Sequence, residues 1–278
     1  MTSLPPCTAI ENCTIPTDIV LVSSDGERFG SHTKNLGQFT GSFPADIPPA
    51  EGEEVPLKNL GAKALALFLR FVHHHCQPDM DYVDFDTLSQ LAEAVEMYEV
   101  YSATEVCKLQ MSAHVSRYPV KVFLYSIKHG YIKLADAAAE NIAADPSLAT
   151  AMLAMLPQGS HERLISAWKE YHTYYLGRFS ILQSEPSPIQ HPGARIRCKP
   201  WRRYRHNVEL DSTSLKNSSA TRDQGLLDSF VQVLKDNQFY IENCPHCSIR
   251  GRHWVARVSR DKVSSFMQFS SFNILPSN

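Results

Sequence analysis

Long apolar runs are missing from this chain. A membrane-spanning helix needs roughly 20 predominantly apolar residues in a row, and the greasiest stretch, "AKALALFLRFV", is broken by Lys63 and Arg70. The first residues, "MTSLPPCTAIENCTIPT", lack the basic start and apolar stretch of a secretion signal. An intracellular protein of cytoplasm or nucleus, with no membrane partner, is expected. Glycine is scarce at 12 of 278 residues, and there is no glycine-rich phosphate loop, nucleophile with its base, or carboxylate pair at a recognisable spacing. That pattern points away from an enzyme. Neither sign of charge is in excess, since 27 Lys and Arg face 29 Asp and Glu, which excludes a surface built wholly for nucleic acid. Seven cysteines, an odd number scattered along the chain, fit reduced thiols better than a disulfide framework.

The apolar fraction of 43% is enough for a sizeable core. The stretch "DIVLVSSDGERFGSHTKNL", Asp18 to Leu36, starts with an apolar strand, Ile19 to Val22. Asp25-Gly26 then favours a tight hairpin turn with positive backbone φ angles. The return strand, Glu27 to Ser31, sets Phe29 on one face, and a helix begins near His32. Pro44, Pro48 and Pro49 keep that helix short. "EVPLKNL" reads as a third strand. Leu65, Phe68, Leu69 and Val72 fall at i, i+3, i+4 and i+7, one buried helical stripe. Leu88, Leu91, Ala92 and Val95 repeat it behind a cap at Asp84 or Asp86. A shorter helix from about Ser102 carries Ala103, Val106 and Cys107. Strands followed by paired helices make an α+β unit.

Beyond Arg117 the pattern is helical, with breaks at His129-Gly130, Asp145-Pro146 and Pro157-Gln158-Gly159. Asp145 before Pro146 is a cap followed by proline in the first helical position, and Leu164, Trp168, Tyr171 and Tyr175 line one side of a long helix. Four helices stacked as two hairpins are expected. The expected division is an irregular tail (1–16), an α+β domain (17–113), a helical extension (114–182), a proline-rich linker (183–196) and a mainly helical carboxy-terminal segment (197–278). That last segment holds the basic run "RIRCKPWRRYRH", a polar loop, a helix with Leu227, Phe230, Val231 and Leu234, and "CPHC".

On Asp18, the strand Ile19 to Val22, Asp25, Gly26, Phe29, His32, Leu36, "VPL" at Val55 to Leu57 and the two apolar helices, the stretch from Asp18 to about Met111 resembles a BTB/POZ domain. The likeness is to the expanded fungal group of BTB proteins, related to the adaptor subunit of cullin-RING ubiquitin ligases. The resemblance implies a compact α+β interaction module in which those six motif residues are structural. It also implies protein partners: another BTB domain, a cullin, or a target chosen by the carboxy-terminal part. Phe39 and Phe43 are the candidate anchors for a partner, with core packing as the alternative.

Several motifs carry chemistry. The ring of His32, at a strand-to-helix junction, is expected to satisfy nearby backbone groups. In "HHHC", successive helical residues point about 100° apart, so only His73 and Cys76 could share an ion, and a solvated helix end is expected instead. "GSH" at 159–161 reads as a turn and helix cap. Cys244 and Cys247 of "CPHC" can offer two thiolates to one tetrahedral zinc, with Cys198 as a third ligand and His253, His206 or His246 as a fourth, of which His253 lies at the most suitable spacing, so zinc is the one candidate cofactor. The basic run 195–206 sets Arg195, Arg197, Lys199, Arg202, Arg203 and Arg205 among Trp201 and Tyr204. It reads as a solvated helix face with a core tryptophan, or as a nucleic-acid contact beside a zinc-held knuckle. The leading expectation is thus a non-enzymatic scaffold or substrate adaptor, and the alternative is a BTB-linked nucleic-acid binder or transcriptional regulator.

Overall fold

The computed structural model describes residues 4–43, 54–156, 162–188, 198–215, 226–264 and 266–272. "GSH" at 159–161, most of the proline-rich linker, Arg195 and Arg197 lie outside them. The protein is mixed α+β and mostly helical, with eleven α-helices and one three-stranded sheet among the described residues. It divides into two units, Met1–His114 and Val115–Asn278.

In the amino-terminal unit the strand order is β2-β1-β3. The strands β1 (Ile19–Ser23) and β2 (Arg28–Ser31) pair antiparallel from Ile19↔Ser31 to Val22↔Arg28. Between them runs a four-residue loop rather than a two-residue turn, and of Asp25 and Gly26 only Gly26 has positive φ, at 86°. The cause is local. The Asp25 carboxylate accepts the Ser23 hydroxyl at 2.5 Å and the Ala62 N–H at 3.0 Å, which leaves Gly26 to make the reversal. The carboxylate of Asp18 accepts both the N–H and the hydroxyl of Thr33, at 2.7 and 2.6 Å, and so caps α1 (Thr33–Phe39) from the start of β1. The third strand, β3 (Glu54–Leu57), lies parallel to β1, and its Pro56 is tolerated because β3 is an edge.

On α2 (Ala62–Phe71) Leu65, Phe68 and Leu69 are buried, as is Val72 just beyond it. On α3 (Phe85–Met97) Leu88, Leu91, Ala92 and Val95 are buried, and the Asp84 side chain caps the helix through the Thr87 N–H at 2.9 Å. The following helix, α4 (Tyr101–Ala113), buries Ala103, Cys107 and Met111.

The carboxy-terminal unit opens with α5 (Pro119–His129) and α6 (Ile132–Ala144), joined through Gly130 in the left-handed conformation. Asp145 caps α7 (Pro146–Met155) with Pro146 in its first turn. The long α8 (Glu162–Gln183) buries Trp168, Tyr171 and Tyr175 on one side. The remaining helices are α9 (Lys199–Leu215), α10 (Leu226–Asp236) and α11 (Pro245–Ser264). Their core is aromatic: Trp254 stands 6.2 Å from Trp201, 6.2 Å from Tyr204 and 6.1 Å from Phe230, centroid to centroid. Its indole N–H donates to the Leu182 carbonyl at 3.0 Å, so α11 is tied to the end of α8. A 3-10 turn at Phe269–Phe272 returns to the first helices of this unit: Phe269 packs on Phe123, Trp168 and Tyr171, and the buried Asp136 accepts the Ser270 N–H at 2.7 Å. Among the described residues no helix is long and apolar enough to cross a membrane.

Candidate metal centre

Cys198 and Cys244 each stand at the entrance of a helix. The Cys198 carbonyl accepts the Arg202 N–H at 3.0 Å, opening α9, and the Cys244 carbonyl accepts the Ser248 N–H at 2.9 Å, opening α11. Pro245 suits the first position of α11 because no helical partner exists there for an N–H. Three residues on is nearly a full turn, so Cys247 comes back beside Cys244. The Sγ atoms of Cys198 and Cys244 lie 3.8 Å apart, and all three Sγ atoms lie within 4.8 Å of one another. Two thiolates on one tetrahedral zinc, each at 2.3 Å, would stand about 3.8 Å apart. The three cysteines can hold a metal ion.

The electrostatics of the pair in "CPHC" are unequal. Burial works against a Cys244 thiolate, but the backbone N–H groups of Cys247 and His246 and the neighbouring thiols outweigh it, and its pKa falls below the usual thiol value. Cys247 is buried, and its pKa is driven up by that burial first and then by the thiols of Cys244 and Cys198. Bound metal would remove the difference, because coordination holds a thiol deprotonated.

Three of the four expected ligands meet. His253 does not, because six residues along a continuous helix from Cys247 is one and two-thirds turns, and its side chain emerges exposed on another face of α11. His206 is exposed on α9. The aromatic half of the basic run turns inward: Trp201 and Tyr204 are buried, while Arg202 and Arg203 face solvent. Glu185 gathers this region. Its carboxylate accepts the Trp201 indole N–H and the Arg250 guanidinium, both at 2.6 Å, and pairs with Arg205 at 3.4 Å. Burial alone would raise the Glu185 pKa, but the Trp201 hydrogen bond and the Arg250 charge prevail and lower it.

No family model matches this chain, and no curated protein matches it. The site therefore rests on geometry alone.

The second group of soft donors was hidden in the sequence. His32 does satisfy a backbone group, the Pro16 carbonyl, through Nδ1 at 2.8 Å. Its other nitrogen, Nε2, stands 3.3 Å from the Cys13 Sγ, and the Nε2 of His73 stands 3.4 Å from the same sulfur. Cys7 completes a group whose four donor atoms all lie within 4.8 Å of one another. His73 is buried rather than part of a solvated helix end, and Cys76, the residue expected to share any ion with it, is exposed. Burial first, then the nearby imidazoles of His32, His75 and His74, lowers the His73 pKa and favours the neutral ring. The available signal was two cysteines six positions apart in a segment with no helix or strand pattern of its own.

Phe39 and Phe43 are both half-buried, and Phe43 packs on Tyr98 at 5.3 Å. That places Phe43 beside the turn between α3 and α4, where the Gly41 N–H donates to the carbonyls of Tyr98 and Glu99. Glu99 there holds a left-handed φ of 53°, unusual for a residue with a side chain. Met97 and Tyr101 flank the turn with 65% and 73% of their surface exposed.

Proposed function

We propose that the chain is a non-enzymatic protein-interaction scaffold of BTB/POZ type, whose carboxy-terminal unit is held by zinc on Cys198, Cys244 and Cys247. The observation that carries this reading is the α3–α4 turn. Exposed Met97 and Tyr101 flank Tyr98, on which half-buried Phe43 packs, and Glu99 between them has a backbone held in a conformation that costs on the order of 1 kcal/mol or more. Exposed apolar and aromatic side chains at a strained turn suit a protein partner. The strand order β2-β1-β3, with α1 crossing between β2 and β3, supports a BTB-like module. Zinc fits the trio because thiolates favour soft or borderline ions.

The experiment is calorimetric titration of the full chain with the amino-terminal domains of several cullins, alongside sedimentation of the chain alone for self-association. Micromolar binding or dimerisation that disappears in Met97→Glu/Tyr101→Glu, with the circular dichroism spectrum unchanged, supports the reading. Binding that survives the double substitution removes the turn as the docking surface. Absence of any partner for the folded chain removes the ligase-adaptor and self-pairing versions together.

A further inference from the structure

Cys7, Cys13, His32 and His73 reach one point from three places in the amino-terminal unit. Cys7 and Cys13 lie in the segment before β1, His32 is the residue preceding α1, and His73 follows the end of α2. None is an exposed side chain, and the two histidines are buried. Donors so scattered in sequence have no shared local reason to converge.

Their geometry matches a tetrahedral ion. With Zn–S near 2.3 Å and Zn–N near 2.0–2.1 Å, a sulfur and a nitrogen on one zinc stand about 3.6 Å apart. The two nitrogens stand 3.3 and 3.4 Å from the Cys13 sulfur, and all four donors fall within 4.8 Å. The orientation of His32 is that of a ligand. Its Nδ1–H donates to the Pro16 carbonyl, which fixes the tautomer and leaves the Nε2 lone pair facing the sulfur, the outer contact that metal-bound histidines habitually make. Two thiolates and two neutral imidazoles carry a charge of −2, which a dication neutralises. Two sulfurs with two nitrogens in a closed tetrahedron select zinc over calcium or magnesium, which take oxygen ligands.

We propose that these four residues form a closed structural zinc site that clamps the segment before β1 onto the sheet. Within that segment Ala9 is buried, and the Pro16 carbonyl accepts the His32 N–H. Cys7 makes a single parallel bridge to Gly30 on β2, and the approach is so close that a Cβ on Gly30 would lie 2.0 Å from the Pro5 carbonyl oxygen. Because β2 is an edge strand, the clamped segment covers backbone groups that would otherwise offer themselves for pairing. The site is independent of the cysteine trio in the other unit.

The test is zinc content of the full chain by mass spectrometry, with Zn X-ray absorption of the Cys244→Ser/Cys247→Ser variant. One zinc per chain retained in that variant, with a shell of two sulfurs and two nitrogens, is the expected result, together with its loss on further Cys13→Ser substitution. A folded variant that holds no zinc, or zinc that stays after Cys13→Ser, overturns the proposal. Should the double variant not fold, the wild-type chain decides. Two zinc ions with nitrogen in the averaged shell, or one with two sulfurs and two nitrogens, support the site, whereas no zinc, or a sulfur-only shell, overturns it.

Discussion

Cys198, Cys244 and Cys247 come from two helix entrances, whereas Cys7, Cys13, His32 and His73 come from an irregular segment, a strand end and a helix exit. The carboxy-terminal trio stands in a unit already held by the aromatic core of Trp201, Tyr204, Phe230 and Trp254. The amino-terminal group holds a segment with a single strand bridge. A metal in the first place would reinforce packing that exists without it. In the second it would add a tie to a segment that contributes no strand to the sheet. Similar chemistry, placed against different amounts of buried apolar surface, does different structural work.

The comparison breaks most visibly at Trp254. Trp254→Ala removes a buried indole from the carboxy-terminal core and is expected to cost about 3–5 kcal/mol, read as a lower denaturant midpoint. The Cys7, Cys13, His32 and His73 group should be untouched, so zinc bound there should persist until that unit melts. Loss of both zinc ions together would show that the two regions do not unfold independently.

Next in size is Glu185→Gln, which strips the buried Arg250 of its carboxylate and is expected to cost about 1.5–3 kcal/mol at neutral pH. The sign with pH follows from the lowered Glu185 pKa. The folded state holds the proton less tightly than the unfolded chain, so the contribution is complete above the ordinary carboxylate pKa of about 4.3 and is lost as pH falls through the lower folded value. The gap between wild type and variant in urea unfolding should be constant from pH 6 to 8 and close below about pH 4.

In the other region, Gly30→Ala places a methyl group against the Pro5 carbonyl and is expected to cost about 1–3 kcal/mol. Hydrogen exchange should accelerate across residues 4–16 while α9 to α11 keep their protection. The smallest effect is Asp18→Ala, which removes the acceptor for the Thr33 N–H and hydroxyl and is expected to cost about 1 kcal/mol. If exchange quickens at the start of α1 without any change in the segment 4–16, the cap and the clamp are separate devices.

The helices of both units were legible because their apolar stripes repeat at 3.6 residues, as at Leu65, Phe68, Leu69 and Val72. Capping was legible at Asp84 and Asp145, where a short acceptor precedes the first turn. Of the trio, Cys244 and Cys247 were legible because a three-residue spacing is a local property of a helix. Cys198 joined them through tertiary folding, and His253 failed because helical spacing turned it away. Cys7 and Cys13 are marked only by lying six positions apart in a segment without a helix or strand pattern. His73 was misread through its neighbour Cys76, since a row of histidines invites comparison with the nearest sulfur rather than one sixty residues upstream. The basic run divided as helix geometry requires, with Trp201 and Tyr204 inward and Arg202 and Arg203 outward.

The return of Phe269 to Phe123, Trp168 and Tyr171 bears on how the chain is made. A ribosome delivers α5 and α8 long before it delivers the residue that seals them. At roughly 5–20 residues per second, the faces around Phe123 wait on the order of ten to thirty seconds for Phe269. During that interval the nascent helices present an unfilled aromatic hollow to whatever chaperones attend the exit tunnel. Truncation just before Met267 would make that transient exposure permanent.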